Sequence, residues 1–275
     1  MKHLLVFDMD ETLLDPSKNV TPENSAALAL LRDLDIGYTI ATGRSHLMTG
    51  RYIDELHVTL PIIACNGGIL AAPLDGAVCW MNPFPKALQK DLFDRLFEAG
   101  ADFVAYTGDM VYYTEKSVRV DAFRRYNLTA GERWQVPLAP ITPESSRELS
   151  LDFCKILLYG PTPEQNAYYR GVEGLEVLSS GAGFLDIMAK GSTKGDAVHA
   201  LARHLGIPIE NIAVFGDHEN DISMFRSGAL AIAMGNAQEI AKKEAHYITA
   251  PNTDSGVALA IRDYVLPRFG YIIPS

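Results

Sequence analysis

At both ends of the chain, hydrophobic runs of strand length alternate with segments of helical period, and in the middle that alternation stops. The alternation indicates a parallel sheet wrapped by helices, because each return to a parallel strand needs a crossover long enough for a helix. Near the N-terminus the spacing predicts a buried strand at Leu4 to Phe7 and a helix from Pro22 to Leu34 with Thr21 as its N-cap. A strand at Tyr38 to Ala41, a helix from His46 to Leu56 and a strand at Ile62 to Cys65 follow. Toward the other end it predicts strands at Ile212 to Phe215, Leu230 to Ala233 and His246 to Thr249. Helices are expected there at Lys194 to Leu205, Asp221 to Phe225, Ala237 to Ala245 and Ser255 to Val265.

The middle follows a different pattern. A helix at Lys86 to Ala99 precedes a hairpin that joins Phe103 to Tyr106 with Val111 to Thr114 through Thr107, Gly108 and Asp109. Then come a helix at Glu115 to Tyr126, a proline-punctuated stretch from Pro137 to Pro143, a strand at Phe153 to Tyr159, a helix at Pro163 to Val172 and a hairpin across Ser179 to Gly183. The expected architecture is α/β: a doubly wound, Rossmann-like parallel sheet core from residues 1–83 and 188–275, with an α+β domain inserted at 84–187.

Composition narrows the function. The net charge of −10 leaves no basic footprint for nucleic acid or an anionic membrane, so phosphate, if handled, is handled at a local site. Cys65, Cys79 and Cys154 are odd in number and widely spaced, which fits neither a disulfide framework nor a zinc site and predicts a reducing, cytoplasmic setting. The apolar run before Asp8 is too short for a signal peptide and no run of about 18 apolar residues follows, so a soluble, untargeted chain is expected.

Chemistry concentrates where strands end. In extended backbone the side chains of Asp8 and Asp10 point the same way beyond the first strand, where open α/β sheets bind ligands. Two carboxylates there repel unless a cation sits between them, and Mg²⁺ suits such oxygen ligands; turn formation or helix capping is the alternative use of the same residues. Thr42-Gly43-Arg44 ends the second strand with a hydroxyl and backbone N–H groups suited to an anion, or simply with a glycine that makes the turn. Lys194 stands at a helix start, where the helix dipole mildly disfavours it, and taken singly it also reads as a solvated surface lysine. Gly216-Asp217-His218-Glu219-Asn220-Asp221 follows another strand and can supply a further metal carboxylate and its support, or a helix cap at Asp217.

Jointly, Asp8, Asp10 and Thr12 (DxDxT), Thr42, Lys194, and Gly216, Asp217, Asn220 and Asp221 (GDxxND) resemble the haloacid dehalogenase superfamily of phosphohydrolases. TGR at Thr42 to Arg44, CNG at Cys65 to Gly67, MGNA at Met234 to Ala237 and the insert before Lys194 are similar to its Cof-type subgroup, and the resemblance covers most of the chain. It implies a Mg²⁺-dependent phosphatase acting on a small phosphorylated metabolite, such as a sugar phosphate or a vitamin-related phosphate, with the insert as a cap that selects substrate. By that resemblance Asp8 is the nucleophile that forms an aspartyl-phosphate, and Asp10 is the general acid and then the base. Met9, Thr42, Gly43 and Lys194 surround the phosphoryl group, and Mg²⁺ is held by Asp8, Asp217 and the main-chain carbonyl of Asp10, with Asn220 and Asp221 ordering its surroundings.

Glu11 departs from the subgroup, which usually has Gly there, and adds an acid near the mouth. Glu11, Arg44, Asn66 and Asp186 are expected at that mouth, although Asn66 before two glycines also suits a turn. The cap's remaining candidates are Asp109 and the 179–184 loop; Tyr112, Tyr113, Tyr168 and Tyr169 fit packing better than recognition, and His199 and His204 read as structural. A phosphomutase of the same fold is the nearest competing function. A receiver-type phospho-acceptor switch needs neither the insert nor the second Asp, and a dinucleotide-binding oxidoreductase would need G-x-G-x-x-G after the first strand.

Overall fold

The computed structural model describes residues 1–148, 151–179 and 183–272. The first part of the chain forms β1 (Leu4–Asp8), α1 (Pro22–Asp33), β2 (Gly37–Ala41), α2 (Gly50–Leu56), β3 (Ile62–Ala64), β4 (Ile69–Ala71) and β5 (Val78–Met81). The middle forms α3 (Lys86–Glu98), β6 (Asp102–Tyr106), β7 (Val111–Tyr113), α4 (Val120–Thr129), β8 (Leu138–Pro140), α5 (Pro143–Glu148), β9 (Lys155–Tyr159), α6 (Pro163–Gly171), β10 (Leu175–Ser179) and β11 (Phe184–Ala189). The last part forms α7 (Lys194–Leu205), β12 (Ile212–Gly216), α8 (Ile222–Phe225), β13 (Leu230–Ala233), α9 (Glu239–Lys242), β14 (Tyr247–Ile248), α10 (Gly256–Ala260) and α11 (Leu266–Arg268).

Eight strands make one sheet in the order β14-β13-β12-β1-β2-β3-β4-β5, parallel from β14 to β3. Leu4, Leu5, Val6 and Phe7 are fully buried, as a central parallel strand covered on both faces demands. Chain order runs away from β1 in both directions, to β2 on one side and to β12 on the other. The carboxyl end of β1 is therefore a topological switch point, the place where such sheets leave a crevice for ligand.

Two strands at the other edge were not legible in advance. β4 and β5 pair antiparallel with β3 and with each other, so Asn66-Gly67-Gly68 introduces a hairpin where the parallel grammar gave no strand. The expected helix from His46 to Leu56 divides, because the Ser45 side chain caps a 3₁₀ turn at His46–Met48 and the Thr49 hydroxyl donates to the His46 carbonyl (2.6 Å). The helix expected at 115–126 starts only at Val120, and the one expected at 237–245 shrinks to α9.

The middle strands form a second sheet, β10-β11-β9-β6-β7-β8, antiparallel except where β8 runs parallel to β7. It has its own core, in which the Phe93 ring meets Phe153 edge-on at 4.9 Å and Phe103 at 5.8 Å. The period of two along β9 sends Ile156 and Leu158 into that core and leaves Lys155 and Leu157 on the face toward the first sheet. The β10–β11 hairpin is present, while its tip at 180–182 lies outside the described residues.

Candidate functional site

A cavity of about 580 Å³ opens at the switch point, between the carboxyl ends of β1, β2 and β12 and the second sheet. Asp8 is the last residue of β1. Lys194 opens α7, whose N-cap Thr193 side chain accepts from the Asp196 N–H. A lysine at a helix start opposes the dipole, and here its ammonium, with no solvent exposure, donates to Asp8 Oδ1 (2.5 Å) and Asp221 Oδ1 (2.7 Å). Oδ2 of Asp221 in turn accepts the backbone N–H groups of Asp217 and His218. Asp221 packs so closely over Gly216 that a Cβ there would come within 2.5 Å of it, which is why the last residue of β12 has no side chain.

Asp8, Asp217 and Asp221 each offer a carboxylate oxygen within 4.8 Å of the others, and all three are buried. One lysine for three acids leaves the cluster short of positive charge. Burial pushes Asp8 well above the ordinary carboxylate range; Lys194 opposes this, and Asp221 and Asp217 reinforce it. Burial, with the Asp221 charge, pushes Asp217 up to about 7 despite the hydrogen bond it accepts from the Thr12 hydroxyl (2.7 Å). Lys194 sits above the ordinary lysine range, since the two carboxylates outweigh its burial. Close oxygens of this kind suit a hard divalent cation.

Asp10 differs from the expectation of two convergent carboxylates. The strand ends at Asp8, so Asp10 leaves the extended register, and its carboxylate joins a clamp in which Arg44 Nε and Nη2 donate to Oδ2 (2.8 Å) and Oδ1 (2.6 Å) and Lys18 Nζ donates to Oδ1 (2.8 Å). Burial alone would raise Asp10, but these two cations hold it below the ordinary carboxylate range. Lys18 was not anticipated. A turn in which Lys18 N–H donates to the Asp15 carbonyl carries it back over the site, and no periodic pattern announces such a turn.

The other anticipated residues divide clearly. Thr42 is buried on the cavity wall, where its hydroxyl oxygen accepts the Arg44 N–H (3.1 Å). Gly43 lies beside it. The Met9 side chain is fully buried in the hydrophobic core, so a contact from this residue to phosphate falls to its backbone. Asn220 lines the same cavity, and its amide donates to Asn66 Oδ1 (3.0 Å). Asn66 then donates to Asp186 Oδ2 (2.7 Å), and Asp186 pairs with Lys155 (2.7 Å), whose ammonium donates to the Gly43 carbonyl (2.9 Å). Asp186 lies opposite Leu157 and Lys155 opposite Met188, so the pair is a diagonal cross-strand contact that links the second sheet to the first. Glu11 reaches the mouth with a φ of 64°, in the left-handed region where glycine is at home. Asp109 stays in its own turn, accepting from Thr107 (2.8 Å), and does not line the cavity.

Comparison with known proteins follows the same lines. A model of the haloacid dehalogenase-like hydrolases matches residues 5–261. The pyridoxal phosphate phosphatase YbhA of Escherichia coli (strain K12) is 28% identical over 270 residues, covering 96% of this chain and 98% of its own. The 5-amino-6-(5-phospho-D-ribitylamino)uracil phosphatase YcsE of Bacillus subtilis (strain 168) is 30% identical over 272 residues, covering 96% of each chain. A haloacid dehalogenase-like hydrolase from B. subtilis superposes with a TM-score of 0.81 at 27% identity, over 95% of this chain and 99% of the other. Among the described residues no helix is long and apolar enough to cross a membrane.

Proposed function

Because the chain belongs to the haloacid dehalogenase-like hydrolases and is a phosphoric monoester hydrolase, we propose that it removes the phosphoryl group of a small metabolite by way of Asp8. The observation that carries this reading is the convergence of Asp8, Thr42, Asp217 and a fully buried Lys194 at the switch point of the sheet. Lys194 holds Asp8 through Oδ1, and Asp8 Oδ2 accepts no hydrogen bond among the described residues, which leaves one oxygen for attack on phosphorus. The bond to the leaving oxygen breaks as the Asp8–phosphorus bond forms, and a second displacement by water returns the carboxylate.

Mg²⁺ fits the buried acids: Asp8, Asp217 and the Asp10 carbonyl would hold it, and when bound it supplies the positive charge that lets two anions approach. Asp10 protonates the leaving alkoxide and then takes a proton from water. In the observed clamp it is held as a carboxylate, so Arg44 and Lys18 must be drawn away for the first step, and the incoming phosphoryl dianion is the competing anion that would draw them. Residues 84–187 act as the cap that chooses the leaving group. The two curated relatives act on esters that carry a flat nitrogen ring, and Tyr106 and Phe123 offer a ring-lined wall to such a group. The test is phosphate release from a panel of phosphorylated metabolites, with Mg²⁺ and with EDTA. Release that stops on chelation is expected; no release from any ester, or full release in EDTA, contradicts the reading.

A further inference from the structure

Charge is unevenly distributed over the cavity wall. Apart from the acids around Lys194 and the mouth residue Glu11, the wall carries Lys18, Arg44, Lys155 and Arg119 against only Asp10 and Asp186. Over the whole wall four cations face five acids, in a molecule whose net charge is −10. Three of these cations are engaged: Lys18 and Arg44 by Asp10, Lys155 by Asp186. Arg119 is not. Among the described residues it forms no salt bridge, and its guanidinium lies 5.8 Å from the centre of the Phe184 ring.

Beside it the wall is apolar and aromatic. The Tyr106 and Phe123 rings meet edge-on with centroids 6.4 Å apart, and the Tyr106 hydroxyl has no hydrogen-bond partner among the described residues. Resting on the phosphatase reading above, the geometry points to a leaving group that carries a second anion, a carboxylate or another phosphate, with Arg119 as the residue that selects it. A paired cation would have to surrender its carboxylate to greet a ligand, whereas Arg119 surrenders nothing. Its planar fork matches either anion with two parallel hydrogen bonds. A neutral leaving group would instead leave the guanidinium facing it unpaired, and that difference is what makes the site discriminate.

The decisive comparison uses isosteric pairs that differ only in this charge: 4-carboxyphenyl phosphate against 4-carbamoylphenyl phosphate, with 4-phosphonophenyl phosphate to separate carboxylate from phosphate. Turnover is read as kcat/KM with Mg²⁺ present. Binding of the corresponding benzylphosphonates, which cannot be hydrolysed, is read by titration calorimetry. The wild-type protein should favour the charged member by about 10- to 100-fold, mostly in KM and Kd, as expected for one charge-assisted pair. Arg119→Ala should collapse that ratio toward one and Arg119→Lys should restore part of it. Arg119→Glu should invert it in favour of 4-(aminomethyl)phenyl phosphate. No preference in the wild type, or a preference that survives Arg119→Ala, overturns the inference. Failure to release phosphate from every ester would count against the hydrolase reading instead, and the phosphonate titration would still decide the role of Arg119.

Discussion

The acid cluster at the end of β1 and the Lys155–Asp186 knot on the second sheet border one cavity, and both are nearly dry. In the first, three carboxylates share one ammonium; in the second, one lysine meets one aspartate, the Asn66 amide donates to that aspartate and the lysine donates to the Gly43 carbonyl. Burying unbalanced charge is costly, and a fold keeps it where something else completes the site. A balanced knot needs no ligand and can serve to hold two sheets in register. The contrast separates chemistry from positioning among residues that all look alike in composition.

The largest effect should follow from breaking the unbalanced cluster. Asp8→Asn should lower turnover by about 10³-fold or more, because an amide cannot accept the phosphoryl group. It should leave the urea midpoint of the metal-free protein equal or higher, since one repelling charge is gone. Recovery of activity with excess Mg²⁺ would reduce Asp8 to a ligand. The balanced knot should behave oppositely. Lys155→Met leaves Asp186 buried without its cation and should cost about 3–5 kcal/mol in urea unfolding, with most of it regained by adding Asp186→Leu. A cost below about 1 kcal/mol would show that water reaches the pair and would erase the contrast.

A third buried group has no hydrogen-bond partner among the described residues. His46 has neither ring nitrogen hydrogen-bonded, and burial lowers it to about 4 against the weaker pull of the Gly108 backbone and the Asp109 charge. The unfolded chain takes up the proton near pH 6.5 and the folded one only near 4, so stability should fall as pH drops through that window. The full loss is about 3 kcal/mol, and His46→Phe should remove that slope from urea midpoints measured across it. Smallest is Glu11. Its φ of 64° stores strain that Glu11→Gly should release, adding about 1 kcal/mol of stability. Destabilisation would mean that the hydrogen bond from Asn236 to the Glu11 carbonyl depends on the side chain's presence.

How far the sequence reaches depends on whether a residue's partner is local. β1, β2, β12 and β13 were legible because central parallel strands are continuous apolar runs, and α1 because Thr21 and Pro22 mark its start. β5 was not, since Val78, Cys79 and Trp80 are exposed on an edge and show no alternation. β8 was hidden in a stretch that its prolines made look like loop. In the site, Asp8, Thr42, Lys194 and Asp217 are legible only jointly, from their places at strand ends and a helix start together with the family resemblance. Lys18 and Lys155 are not, because one is placed by a turn and the other by a diagonal pairing between strands far apart in sequence. The Asp10 clamp was likewise hidden, for it depends on where β1 stops.

The proposed passage of a phosphoryl group through Asp8, with Asp10 as the base that clears it, leaves a kinetic and a covalent trace. Rapid-quench reaction of Asp10→Asn with p-nitrophenyl phosphate tests this directly, since the phenolate leaves without a proton while water attack still needs the missing base. A burst of about one equivalent of p-nitrophenol, slow turnover thereafter and a phosphoryl group on the peptide that contains Asp8 are the expected results. Steady release without a burst, from a protein whose Asp8 peptide stays unmodified, would contradict it.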